Sequence, residues 1–404
     1  MNIFGKIFKQ TFWQIIGKVV TSVSTFIILG IVARNYKEDG TGVFTLMLTY
    51  LSMFFLLGDF GFNAHVLKKI TDTSESEKSN QWRRLLGVRI FLSILLILSA
   101  ILLAHLLPFK HLNLSAGVLW GSIAILGSSI FITGNLIFQQ KLKYNLSVLS
   151  SSIGAFFYLV LVLFFSSKNL ALPYLLLAFA AGWLATGLSA IFFVKKFERN
   201  IVPIFDFNFT KKLIKDSWPI AATLGVNVVY FRADSFMLAY FKNASDVGIY
   251  NLAYQIFQGA LVFPAFIMNA YYPLMLKSLD NLKHIAAFLL ALGTFGFLSV
   301  FFLSKNIVNI LSGGGFVGSS ESLQILSFGF PAYFLSALFM FLMVAKGDYK
   351  KMLIIYTSGM ILNLVLNFIF IPKYSFYASS WNTVLSEYFI LIIQIFILRK
   401  VVFK

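Results

Sequence analysis

The chain has 404 residues and a formal net charge of +18, and it is 59% hydrophobic and only 12% charged, with a mean hydropathy of +0.84. Soluble domains carry about 25% charged residues, so the composition excludes an ordinary soluble fold and predicts an all-α polytopic membrane protein. Cysteine is absent, which excludes disulfides, thiolate metal sites and a cysteine nucleophile.

Apolar stretches of about 20 residues, each able to cross a hydrocarbon core of about 30 Å as a helix, recur from one end to the other. They predict twelve spans, at 11–33, 43–67, 85–107, 116–138, 145–166, 172–194, 218–241, 249–276, 285–303, 323–344, 352–371 and 379–398. The first follows the basic segment "MNIFGKIFKQ". It runs on to Ala33, carries Lys18 and shows no small-residue cleavage site before Arg34, so it predicts a retained helix rather than a secretory leader.

Most of the 33 lysines and arginines fall in alternate inter-span segments, among them Lys68, Lys69, Lys78, Arg83 and Arg84, then Lys195, Lys196, Arg199, Lys211, Lys212 and Lys215, then Lys346, Lys350 and Lys351. The opposite loops hold only Arg34, Lys37, Lys110, Lys168, Lys242, Lys305 and Lys373. This asymmetry places both termini in the cytoplasm. It also accounts for the basicity without nucleic acid. His65, His105, His111 and His284 show no ligand spacing, so no metal is expected.

Two motifs recur. "NYKEDGTGVF" after span 1 parallels "YFKNASDVGIY" after span 7, and "QQKLKY" after span 4 parallels "VAKGDY" after span 10, both at an offset of about 205 residues. The repeats predict two six-helix lobes of the same orientation, 1–200 and 218–404, related by an axis along the membrane normal. A cytoplasmic linker, 201–217, joins them, and its "FTKKLIKDS" suits a short amphipathic helix.

No Walker-type lysine loop, HExxH, nucleophile elbow or acidic loop pair is present. "SGGGFVG" (312–318) lacks a following lysine and reads as a flexible loop. Loops this short hold no catalytic domain, which leaves a transporter without a cofactor as the leading class, not an enzyme.

"VARNYKEDGTGVFTLMLTYLSMFFLLGDFGF" and "RADSFMLAYFKNASDVGIYNLAYQI" resemble the first two and the seventh and eighth helices of Wzx-type polysaccharide flippases. These belong to the multidrug/oligosaccharidyl-lipid/polysaccharide superfamily, which also holds multidrug (MATE) transporters and the lipid II flippase MurJ. The resemblance covers the whole chain. It implies a substrate of undecaprenyl pyrophosphate carrying an oligosaccharide, moved by alternating access from the cytoplasmic to the periplasmic leaflet of the bacterial inner membrane, for O-antigen or a related surface polysaccharide. A polysaccharide polymerase and a chain-length regulator of the same pathway are the partners it implies. The alternatives are a drug/cation antiporter of the same superfamily, and a membrane-embedded polymerase or acyltransferase. Basic cavity residues favour an anionic substrate over the first. Against the second, the external acids Glu38, Asp39, Asp246 and Glu321 are isolated.

A pyrophosphate needs fixed cations where water is scarce, and Lys18, Arg34, Arg89 and Arg232 are the candidates. Lys18 sits beside Thr21, Ser22, Ser24 and Thr25, either facing a cavity or snorkelling to the interface. Arg89 reads equally as a snorkelling residue, and Arg34 as an interfacial anchor. Asp59, Asp234 and Glu387 are the carboxylates within predicted spans, each needing a cation, a wet cavity or a bound proton, and they are the candidates for ion coupling or gating. Arg232 and Asp234 are two apart, about 200° around a helix, so they do not simply neutralise each other. The amides Asn227, Asn251, Gln255, Gln258, Asn269, Asn363 and Asn367 suit interhelical hydrogen bonds or sugar contacts.

Overall fold

The computed structural model describes residues 3–402 except 64–65, 67–73, 107–113 and 277. Lys68, Lys69, Lys110, His65 and His111 lie outside the described residues. Thirteen helices are described: α1 (Ile3–Asp59), α2 (Glu75–Leu106), α3 (Leu114–Gly121), α4 (Ala124–Gln140), α5 (Tyr144–Ser167), α6 (Leu172–Val194), α7 (Phe207–Phe241), α8 (Ala244–Ala260), α9 (Val262–Met275), α10 (Leu282–Ser312), α11 (Val317–Ser327), α12 (Phe330–Ala345) and α13 (Tyr349–Val402). No strand occurs among the described residues. Among the described residues eight helical stretches are long and apolar enough to cross a membrane, nine when the bent pair α11 and α12 counts as one. An all-helical build follows from the solvent, because backbone groups in hydrocarbon must be satisfied within their own segment.

Two pairs of expected spans are fused. α1 continues for 57 residues through the expected loop at 34–42, interrupted only at Lys37 (φ 58°, ψ −164°). α13 continues for 54 residues through 372–378, interrupted only at Ser375 (φ 51°, ψ −135°), just after Pro372. One left-handed residue suffices to redirect a helix, so a full loop is unnecessary. Turns at repeat-related positions share this geometry: Leu142 (φ 51°) and Gly347 (φ 72°), and Asn169 (φ 51°) and Ser375 (φ 51°), are left-handed.

The chain divides into two compact units, Met1–Asn35 with Met47–Val228, and Tyr36–Leu46 with Val229–Lys404. In the first, α5 and α4 pack on α6 through small residues. The carbonyl of Gly127 lies 2.6 Å from where a Cβ on Gly187 would stand, so only glycine permits this approach. Trp82, Leu85, Leu86, Phe138, Phe193 and Leu213 form its buried core. In the second unit, the 36–46 segment crosses α8 at Gly42 and Gly248, which belong to the two copies of the repeated motif. A Cβ on Gly42 would collide with the carbonyl of Ala244, and one on Gly248 with the carbonyl of Glu38.

The 201–217 segment is more ordered than a tether. Asp206 caps α7, its Oδ1 accepting from the Phe209 amide at 2.9 Å. The expected short amphipathic helix and span 7 are one 35-residue helix.

Candidate functional site

In the second unit, buried polar side chains of α7, α8 and α13 meet. Tyr230 and Asp234 lie four apart on α7. Ser379, Thr383 and Glu387 repeat the same spacing on α13, as do Asn363 and Asn367, so each set shares a helix face. Asp234 is 3% exposed and Glu387 4%. The Tyr250 hydroxyl of α8 donates to Asp234 Oδ2 at 2.6 Å, and Asn367 Nδ2 donates to Oδ1. Thr383 Oγ1 stands 3.1 Å from Asp234 Oδ2 and 2.9 Å from the Ser379 carbonyl, and its single proton serves one of them. Asn367 in turn bonds Asn363 Oδ1 and accepts from Asn382 Nδ2, both at 2.9 Å.

Glu387 is less provided for. Its Oε1 accepts from the Tyr230 hydroxyl at 2.7 Å. Tyr230, Asp234, Tyr254, Tyr333, Thr383 and Glu387 all line one small pocket. Buried carboxylates persist only when paired or hydrogen-bonded, and here neutral donors from α7, α8 and α13 supply those bonds. Two buried carboxylates share this pocket, held by neutral hydroxyl and amide donors rather than by a fixed cation. Among the described residues no group of three His, Cys, Asp or Glu side chains assembles for a metal ion.

Asn251, a second expected amide, links α8 to the 36–46 segment. It accepts from Ser235 Oγ at 2.6 Å and donates to Thr45 Oγ1 at 2.9 Å. The side chain of Asn227 lies outside the described residues.

The first unit holds a different arrangement. α1 ends at Asp59, where Phe60 (φ 50°) and Gly61 (φ 69°) take left-handed conformations. Arg89 of α2 meets that end: Nη2 lies 3.0 Å from Asp59 Oδ1 and 3.2 Å from the Asp59 carbonyl, and Nη1 lies 3.3 Å from Thr133 Oγ1. Arg89 has no exposed surface, so it does not snorkel, and its guanidinium sits 5.8 Å from the Phe62 ring centroid. Arg89 and Asp59, read from the sequence as separate candidates, form one ion pair.

The remaining candidate cations are placed differently. Arg232 is half-buried on α7 and makes no ion pair among the described residues, while Asp234 two positions on is buried. Lys18 and Arg34 are exposed on α1. The hydroxyls beside Lys18 turn back on their own helix, Thr21 to the Gly17 carbonyl and Ser24 to the Val20 carbonyl, each at 2.9 Å.

Sequence reasoning missed Thr133, Tyr230, Tyr250, Tyr254, Tyr333 and Thr383. The four-residue spacing of Tyr230 with Asp234, and of Thr383 with Glu387, was the available signal.

Comparisons with known proteins agree with this architecture. A family model described as polysaccharide biosynthesis protein matches residues 7–279. A Shigella dysenteriae protein assigned as an O-antigen transporter is 23% identical over 357 residues, covering 86% of this chain and 87% of that protein. Among solved structures, the lipid II flippase MurJ in an inward closed conformation superposes with a TM-score of 0.79 at 16% identity, covering 95% of this chain and 87% of that one. An inward-facing multidrug transporter of the MATE family gives a TM-score of 0.69 at 12% identity, covering 95% and 94%. The chain therefore shares the fold of these two transporters. With the family model matching more than half of its length, the chain belongs to the polysaccharide biosynthesis protein family.

Proposed function

We propose that the chain is a flippase for undecaprenyl-pyrophosphate-linked oligosaccharide, carrying it by alternating access from the cytoplasmic to the periplasmic leaflet of the bacterial inner membrane for O-antigen or a related surface polysaccharide. The observation that carries this reading is the match, across nearly the full chain, to a protein assigned as an O-antigen transporter. The twelve spans, cytoplasmic termini and two six-helix lobes belong to the same reading.

Within it, Lys18, Arg34 and Arg232 are the cations assigned to the path of the pyrophosphate. Arg89 is engaged by Asp59 at 3.0 Å and meets an anion only by giving up that partner. Asp234 and Glu387 carry the coupling proton or monovalent cation, because they are buried carboxylates sharing a pocket lined by neutral donors. The membrane potential, negative inside, favours outward movement of the anionic headgroup by about 2.3 kcal/mol per charge per 100 mV.

The test uses purified protein in sealed vesicles containing a fluorescent polyprenyl-pyrophosphoryl sugar. Transfer between leaflets, read by quenching with a membrane-impermeant reductant, is expected with the wild type. A protein that moves cationic dyes but not the lipid-linked sugar is the antiporter instead.

A further inference from the structure

The first turns of α7 carry a face that the proposed transport residues do not use. Phe207, Lys211, Lys215 and Trp218 are exposed, and their spacing puts them on one side of the helix. Thr210, Leu213 and Ser217 on the other side are buried, with Leu213 joining the core that holds Trp82 and Phe193.

This face is held in a fixed direction. The Ile204 amide donates to the Arg83 carbonyl at 3.0 Å, and Arg83 Nε donates to the Val202 carbonyl at 2.8 Å. Arg84 Nε lies 3.5 Å from Asp206, the residue that caps the helix. A Cβ on Gly87 would collide with the Ile204 carbonyl, so α2 carries glycine where the segment passes closest.

The face also continues a surface that meets lipid. Phe205 packs on Phe91 of α2 with ring centroids 4.8 Å apart. From Phe91 an exposed apolar strip runs along α2 through Ile94, Leu95, Leu98 and Leu102. On a membrane-spanning helix such a strip faces acyl chains. Phe205, Phe207 and Trp218 then mark its interfacial edge, where aromatic rings are favoured. Lys211, Lys212 and Lys215 stand at the same edge, and the exposed Lys195, Lys196 and Arg199 precede them in the chain. Glu198, Asp206 and Asp216 are the acids of this stretch against six lysines and arginines, so cations predominate.

We infer that the entry to α7 is a docking surface for acidic phospholipid headgroups of the cytoplasmic leaflet, with Lys211, Lys212 and Lys215 pairing the phosphates and Phe207 and Trp218 entering the acyl boundary. The inference rests on the membrane-transporter reading but not on the identity of the cargo.

The experiment uses the full chain in nanodiscs of phosphatidylcholine with and without phosphatidylglycerol, scoring retained phosphatidylglycerol by native mass spectrometry. Near an anionic surface each lysine contributes about 1 kcal/mol, so the Lys211→Gln, Lys212→Gln, Lys215→Gln triple variant should bind phosphatidylglycerol on the order of 100-fold more weakly. Lys346→Gln, Lys350→Gln, Lys351→Gln should bind it as the wild type does. Arginine at 211, 212 and 215 should restore binding, which separates lost charge from misfolding. Unchanged retention in the first variant, or equal loss in the second, overturns the proposal. So does a wild type that retains only a polyprenyl pyrophosphate at this face, which would make it a cargo-loading site. Lipid retention is read without transport, so failure of the flippase reading leaves this result interpretable.

Discussion

Asp59 and Arg89 form an ion pair at 3.0 Å in which the arginine side chain is wholly buried and the aspartate side chain is 36% exposed. The two ends of this pair are therefore not equivalent. Removing Asp59 strands a guanidinium with no exposed surface, whereas removing Arg89 leaves a carboxylate that is already partly exposed. Breaking a buried pair from one side costs about 3–5 kcal/mol, so Asp59→Ala should lower the unfolding midpoint in detergent sharply. Asp59→Asn keeps an acceptor oxygen and should cost less. The double variant Asp59→Asn, Arg89→Met should recover much of the loss, and equal midpoints for Asp59→Ala and the double variant would show that the pair is not what holds α1 to α2.

How far the sequence foretold these sites depends on the distance over which residues meet. Hydropathy marks spans locally, and the carboxylates that matter were visible as charges inside apolar runs. Their partners were not: Thr383 reaches Asp234 across 149 positions, and Arg89 reaches Asp59 across 30. No periodicity within one helix says which neighbour its polar face will meet. The same limit explains the fused helices, since a loop and a single left-handed residue such as Lys37 or Ser375 look alike in composition.

Asp234 is the best-provided carboxylate of the second unit, with donors on both oxygens. Asp234→Asn places an amide N–H against one of those donors and removes the charge they stabilise. Transport should then fall at least tenfold and lose its response to an imposed proton or sodium gradient, as measured in vesicles. Gradient dependence equal to wild type in both Asp234→Asn and Glu387→Gln would remove these residues from ion coupling.

Among the described residues Tyr230 donates the one hydrogen bond that Glu387 accepts, at 2.7 Å. Tyr230→Phe deletes that donor with little change of shape, at a cost of about 1–3 kcal/mol for the acceptor left behind. In the Glu387→Gln background the neutral amide asks less of the tyrosine, so the second substitution should cost less. A double-mutant cycle by thermal unfolding reads this coupling, and additive losses would deny it.

Arg232 sits on the same helix as Asp234 but has no ion-pair partner among the described residues. Replacing it therefore strands no buried countercharge, the step that makes breaking a buried pair costly. Arg232→Ala should insert and unfold like wild type yet abolish transfer of the lipid-linked sugar, while Arg232→Lys should keep part of the activity. Wild-type transfer by Arg232→Ala would exclude it from the pyrophosphate path.

Gly42 and Gly225 are both helical glycines in opposite surroundings. Replacing a helix-interior glycine by alanine gains about 0.8–1.0 kcal/mol of propensity. At Gly225 nothing lies within 4 Å of the added methyl, so Gly225→Ala should raise the unfolding midpoint. At Gly42 the methyl meets the Ala244 carbonyl, and backbone cannot rotate aside as a flexible side chain does. Overpacking of this kind costs about 1–3 kcal/mol, which exceeds the propensity gain. Gly42→Ala should therefore be destabilising, and Gly248→Ala similarly so, because its methyl meets the Glu38 carbonyl. The crossing also carries the Thr45 to Asn251 hydrogen bond at 2.9 Å, so displacement should weaken that contact too. Thermal midpoints of the three single variants give the ranking directly. If Gly42→Ala proves as stable as Gly225→Ala, the 36–46 segment does not press on α8 as closely as these contacts require.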